Sequence, residues 1–143
     1  MEKLSGSRGC FVCGDPVKEN ERSLGLDIFW DEEKGETLIT LYPDLTWCGY
    51  ENTVHGGIIA AVCDDAMAWA VKQKQGNWSV TAKIDLTYRK PVTTGQKYFA
   101  KGSVLKTKGR KVSTCCRIED SEGKLYAEAK ALFILQPDIG GTD

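Results

Sequence analysis

Leu24, Leu26, Ile28 and Trp30 alternate with Gly25, Asp27 and Phe29, a period of two that predicts an extended strand. A polar run from Asp31 to Gly35 separates it from a second alternation over Thr37 to Tyr42, so the two are expected to pair as a hairpin that Pro43 ends. Asp44 to Thr53 has no period, carries Trp47 and Tyr50, and is expected to be a loop. The period then changes. From His55 to Gln75, after the pair Gly56-Gly57, Ile, Ala, Val, Cys, Met and Trp occupy every side of a helical wheel, interrupted only by Asp64 and Asp65. A helix apolar all round is a buried helix. Lys72, Lys74 and Gly76 give it C-terminal charges and a stop.

Beyond Gly76 the period returns to two. Val80, Ala82, Ile84, Leu86 and Tyr88 are expected on one face and Thr81, Lys83, Asp85, Thr87 and Arg89 on the other, up to Pro91. Tyr98 to Leu105, Val112 to Glu119 and Leu125 to Leu135 follow as further strands joined by tight turns. Ala127, Ala129 and Ala131 share one face of the last strand, and Ala100 and Gly102 share a face of an earlier one, leaving room for the helix to approach closely. The expected architecture is α+β, a curved antiparallel sheet wrapped around one long helix. Residues 1–23 form an irregular arm, 24–136 the single domain, and 137–143 a tail. One sheet around one helix leaves edges to cover, so an oligomer is expected.

With 143 residues the chain has room for one core, and its 41% hydrophobic content suits a globular domain. The formal net charge of −1 excludes a wholly basic nucleic-acid binder, and no apolar run is long enough to span a membrane. No apolar signal core opens the chain, so a cytoplasmic location and reduced thiols are expected. The balance is uneven, however. From Lys83 to Lys111 nine Lys or Arg stand against the single acid Asp85. Such a segment offers a polyanion a landing surface, or solvates strand faces and turns.

Two adjacent carboxylates in an apolar helix need a chemical reason, because burying an unpaired charge costs several kcal/mol. Counting two turns back, Asp64 lies over Gly57 and Asp65 over Ile58, so only Asp64 faces the Gly-Gly end. The first N–H groups of a helix lack intrahelical acceptors and the dipole is positive there. A carbonyl polarised near Gly57 and a carboxylate further along the helix, or from a second subunit, would make a minimal hydrolase. Asp65 is expected instead in an N-terminal or interfacial ion pair. Cys10-Phe11-Val12-Cys13-Gly14 suggests half a zinc site, completed through a second subunit, or a redox pair, or a packing element; no second ligand pair is evident, packing is the expected role, and no metal is expected.

The segment His55-Gly56-Gly57-Ile58-Ile59-Ala60-Ala61-Val62-Cys63-Asp64, followed by the extended Val80 to Pro91 segment, resembles the hotdog-fold thioesterases, especially the branch related to the phenylacetate-degradation thioesterase. The resemblance covers roughly residues 20 to 135. It implies a sheet wrapping a helix, homodimers or homotetramers, and hydrolysis of an acyl-coenzyme A thioester with no separate cofactor. By that resemblance Gly57 would supply the oxyanion N–H, Asp64 the nucleophile or general base, His55 would shape the carbonyl site, and Thr81 would place a hydroxyl on the attacking water. Asn52 is the nearest candidate for the Asn or Gln that relatives carry before the His, while Cys48 and Gly49 occupy the expected positions. Lys108, Arg110 and Lys111, with Arg89 and Lys90 as second candidates, would meet the coenzyme phosphates. Trp47, Tyr50, Met67 and Trp69 are expected to line the acyl pocket. The rival readings are a non-catalytic acyl-coenzyme A binder and a hydratase of the same fold. The hydratase would need a different pairing of His with an acid, and His55 is the only His.

Overall fold

The computed structural model describes residues 1–136, so the expected tail at 137–143 lies outside the described residues. Seven strands make one antiparallel sheet: β1 (Glu2–Lys3), β2 (Ile28–Asp31), β3 (Glu36–Leu41), β6 (Ser79–Tyr88), β7 (Tyr98–Lys108), β8 (Lys111–Asp120) and β9 (Leu125–Leu135). Their order across the sheet is β1-β2-β3-β7-β8-β9-β6. A short hairpin, β4 (Cys48–Tyr50) with β5 (Thr53–Val54), precedes α1 (Gly56–Gln75), the one α-helix among the described residues. The segment expected to be a plain loop therefore holds this hairpin and a 3₁₀ turn at Leu45–Trp47.

The period-two pattern sets the buried face of the sheet. Thr37, Ile39 and Leu41 on β3, Val112, Thr114, Cys116 and Ile118 on β8, and Ala127, Ala129, Ala131 and Phe133 on β9 are buried beneath α1. The helix presents Ile59, Val62, Cys63, Ala66, Met67, Ala70 and Val71 to them, with Ile58, Ala61 and Ala68 half-buried at its flanks. Its closest approach is at β7, where a Cβ on Gly102 would fall 2.6 Å from the Ala66 carbonyl oxygen and 2.9 Å from Thr37 Oγ1. The Thr37 hydroxyl donates to the same Ala66 carbonyl at 2.7 Å. Small residues under the helix thus do what their pattern predicts. Gly76, in the left-handed region, closes the helix.

Three expectations change. First, the strand beginning at Leu24 starts only at Ile28: Gly25 has φ +62°, which breaks the extended run, and the N–H groups of Leu24 and Leu26 instead bond the carbonyls of Phe11 and Val12. Second, the arm is not wholly irregular. Its β1 pairs with β2, and Leu4 and Val12 are buried in the core. Third, β6 does not alternate throughout. Thr81 pairs with Phe133 but Lys83 with Leu132, so Ala82 is an extra, bulged residue. The bulge moves Thr81 onto the helix-facing side with Ile84, Leu86 and Tyr88, whose partners Ala131, Ala129 and Ala127 are all buried.

β6 is also the edge of the sheet, and within one chain Val80, Ile84 and Tyr88 stay 43%, 37% and 53% exposed. Among the described residues, no helix is long and apolar enough to cross a membrane. Because the Gly102 contact involves backbone, Gly102→Ala should force the helix off the sheet and cost on the order of 1–3 kcal/mol, read as a lower denaturation midpoint at unchanged slope; an unchanged midpoint would show that the contact is slack.

Candidate active site

The helix N-terminus is built by its own neighbours. The N–H of His55 donates to the Trp47 carbonyl at 2.8 Å, fixing the chain where it enters α1. His55 is the N-cap: its Nδ1 accepts the N–H of Gly57 at 2.8 Å and its carbonyl accepts from Ile58 at 3.0 Å. The Tyr88 hydroxyl donates to the Gly56 carbonyl at 2.6 Å, so the end of β6 is tied to the start of the helix. A side chain at Gly56 would lie 3.2 Å from that hydroxyl, which explains a glycine there. The Gly57 N–H, expected to be open for an oxyanion, is thus held by an exposed imidazole that must turn away before a ligand can take it.

Seven residues on, Asp64 is half-buried and accepts the Thr81 hydroxyl at 2.5 Å on Oδ1. Burial raises its carboxyl above the usual range, and the Thr81 hydrogen bond offsets part of that rise. The contact depends on the bulge at Ala82, since strict alternation would turn Thr81 to the outer face. Asp64 and Gly57 share a helix face as expected, but seven residues put them about 10 Å apart along the axis. Reacting groups in direct contact come within about 3–3.5 Å, so a carbonyl bonded to the Gly57 N–H would not touch Asp64 of the same chain.

Asp65 points elsewhere. Within the described residues of one chain it forms no ion pair; its Oδ1 lies 3.4 Å from Cys10 Sγ, its Oδ2 is buried without a hydrogen-bond partner, and burial holds its carboxyl well above the ordinary range. The Cys13 thiol, with the N–H groups of Cys13 and Val12, pulls Cys10 down to about 5. Donation to Cys10, together with burial, pushes Cys13 up.

The remaining candidates separate. Asn52 sits at φ 62° in the tight turn between β4 and β5, and its Oδ1 accepts the Thr94 hydroxyl at 3.3 Å; it is a turn residue, which left-handed backbone favours, rather than a partner of Asp64. Arg89 is paired with Glu128 at 2.6 Å, and Lys90, next to it, has its ammonium pulled down by neighbouring Lys124. Both lie at the helix N-terminal end, beside a cleft of about 310 Å³ lined by Val54, Ile59, Tyr88, Pro91 and Val92 among others. Lys108 and Lys111 face each other at the end of the β7–β8 hairpin, and Arg110 donates to the Leu135 carbonyl at 3.0 and 3.2 Å. Gln75 bonds Thr107 there, so this basic turn sits at the other end of a helix about 30 Å long. The five phosphate candidates from the basic segment therefore fall into two groups at opposite ends of the helix, not on one surface.

The acyl-pocket expectation is also corrected. Met67 and Trp69 are core residues, Met67 accepting from the Thr114 hydroxyl and Trp69 stacked edge-on against Trp78. Trp47 is buried in the same core and Tyr50 is 80% exposed, so the four do not share one open face. Tyr88 and the bulge at Ala82 went unread, because an alternating strand gives no signal of either.

Comparison with known proteins places this geometry. The family model described as Thioesterase superfamily matches residues 51–127, more than half of the chain and all of the segment from the β4–β5 turn to β9. The chain belongs to the thioesterase superfamily. It is 30% identical to acyl-coenzyme A thioesterase THEM4 of Mus musculus over 122 residues, which are 82% of this chain and 52% of that protein. The chain thus spans about half the length of that relative. Among solved structures it is similar to the E. coli PaaI protein from the phenylacetic acid degradation operon, with a TM-score of 0.71 at 19% identity, covering 80% of this chain and 82% of that one. A Streptococcus mutans protein bound to acetyl CoA superposes with a TM-score of 0.67 at 18% identity, covering 72% of this chain and 82% of that one. At these identities the two structures share the fold, a hotdog sheet around its helix, as the sequence pattern implied.

If Asn52 serves only the turn, Asn52→Gly should leave stability and activity near wild type, whereas Asn52→Ala should cost about 1 kcal/mol in thermal or chemical unfolding through its left-handed backbone. A loss of activity in the glycine variant at unchanged stability would return Asn52 to the site.

Proposed function

We propose that the chain hydrolyses an acyl-coenzyme A thioester to the free acid and coenzyme A, in a site assembled from two copies. The observation that carries the reading is the Asp64 carboxylate, half-buried, made more basic by burial, and held by Thr81 on a helix that begins at Gly57. Membership of the superfamily, the mouse relative named an acyl-coenzyme A thioesterase and the acetyl CoA in the Streptococcus mutans structure support the substrate class.

The roughly 10 Å of helix between Gly57 and Asp64 argues for two chains. A ten-residue edge strand with a free hydrogen-bonding ladder and apolar side chains invites a second β6, giving a homodimer or, through further faces, a homotetramer. In that assembly Asp64 of one copy would serve a carbonyl held at Gly57 of the other. The Gly57 N–H, once His55 swings aside, takes the carbonyl oxygen. Asp64 removes a proton from a water that the Thr81 hydroxyl helps to place, and the water oxygen bonds to the carbonyl carbon. The tetrahedral intermediate collapses, the carbon–sulfur bond breaks, and the leaving thiolate takes the proton back from Asp64. No separate cofactor enters. The cleft beside Tyr88 would receive the pantetheine or acyl arm, with Arg89 and Lys90 at its rim. Lys108, Arg110 and Lys111 remain the candidates for phosphates bound at the far end.

The engagement of Gly57 by His55 favours one alternative, a protein that binds acyl-coenzyme A without cleaving it. Thiol release from a panel of acyl-coenzyme A substrates separates the two. Asp64→Asn should lower kcat by about 10² or more while coenzyme A binding persists, and Asp65→Asn should change kcat much less. Calorimetric binding with no thiol release from the wild type would establish the binder instead.

A further inference from the structure

The N-terminal arm crosses α1 where it lays two sulfurs over a buried carboxylate. We propose that Cys10, Cys13 and Asp65 are three ligands of a tetrahedral zinc site, with a fourth position for water, that fastens the arm to the helix. The three ligand atoms lie within 4.8 Å of one another. Cys10 Sγ and Asp65 Oδ1 are 3.4 Å apart, close to the roughly 3.5 Å expected of a sulfur and an oxygen on one tetrahedral zinc ion with bonds of about 2.3 and 2.0 Å.

The turn is built as a thiolate holder. The N–H groups of Val12 and Cys13 donate to Cys10 Sγ at 3.3 and 3.4 Å, and the N–H of Ser7 donates to Cys13 Sγ at 3.4 Å. Hydrogen bonds of this kind orient sulfur ligands and moderate their charge. Gly14 closes the turn by donating to the Cys10 carbonyl at 2.9 Å, and a Cβ there would lie 2.5 Å from that oxygen.

The third ligand decides between the readings of the cysteine pair. Asp65 Oδ2 is buried and has no hydrogen-bond partner, an arrangement that is costly unless something unseen by the protein's own donors satisfies it. A Cys10–Cys13 disulfide would leave this buried carboxylate without a counter-charge; a cation held by all three residues would supply one. Two thiolates exclude magnesium and calcium, which take oxygen ligands, and together with a carboxylate suit zinc. Cys13 also lines a cleft of about 490 Å³ in the arm, next to Ser7, Gly14 and Leu26, so solvent-accessible space for ion entry adjoins the cluster. The ion would join residues 55 apart in sequence and tie the arm to the residue beside Asp64.

The test is zinc uptake by the reduced, chelator-stripped full chain, read by elemental analysis after gel filtration and by competition with a chromogenic zinc chelator. About one equivalent per chain is expected, with the affinity lowered at least about ten-fold in Asp65→Asn and further in Cys10→Ser or Cys13→Ser. Cobalt(II) added to the wild type, whose reading does not depend on any variant folding, should give the strong visible bands of a four-coordinate ion and a near-ultraviolet thiolate charge-transfer band. Zinc well below one equivalent, cobalt spectra without a thiolate band, or an affinity unchanged in folded Asp65→Asn would overturn the proposal.

Discussion

The close contact between Ala66 and Gly102 sets the position of everything else. Gly102 leaves no room for a side chain between α1 and β7, and the Thr37 hydroxyl bonds the Ala66 carbonyl, which holds this point of the helix against the sheet. Successive helical residues point about 100° apart, so fixing Ala66 toward the sheet also fixes where its two predecessors point. Asp65 is turned under the N-terminal arm, to Cys10 and Cys13, and Asp64 toward β6, to Thr81. Two adjacent acids that look like one feature in the sequence are consequently parts of two separate arrangements.

β6 supplies the complementary half. Its bulge at Ala82 brings Thr81 round to Asp64 while Tyr88, six residues after the bulge, binds the carbonyl of Gly56 at the helix start. One edge strand therefore reaches both the carboxylate and the glycine end of the helix. The same strand keeps its outer ladder and several apolar side chains exposed, and the proposed two-copy site depends on this edge.

The elements that follow a period were legible. The alternation in β3, β8 and β9, the all-round apolar helix and the small residues beneath it determine the hotdog architecture, and the helical spacing correctly separated the faces of Asp64 and Asp65. What escaped reading has no periodic signature. A bulge adds one residue without altering composition, so Thr81 was assigned to the wrong face. Asp65 meets Cys10 across 55 residues only because the arm folds back between β1 and Leu26, a path that local patterns do not encode. Asn52 was a candidate as the nearest amide before His55, although Cys48 and Gly49 hold the expected positions, and its left-handed backbone commits it to a turn. The basic stretch misled in the opposite way, since two parts of one basic segment lie at opposite ends of a long helix.

The central claim, that Asp64 of one copy serves the Gly57 end of another, is tested most directly by subunit complementation. Gly57→Pro removes the N–H in the first helical turn, where proline is tolerated, and Asp64→Asn removes the base. Each variant alone should be nearly inactive in thiol release. Co-refolded in equal amounts, with hybrids verified by native mass spectrometry, they should recover roughly a quarter of wild-type activity, because half of the dimers then hold one intact site. Verified hybrids that stay as inactive as the parents would contradict a shared site and place the reaction within a single chain or nowhere in this fold.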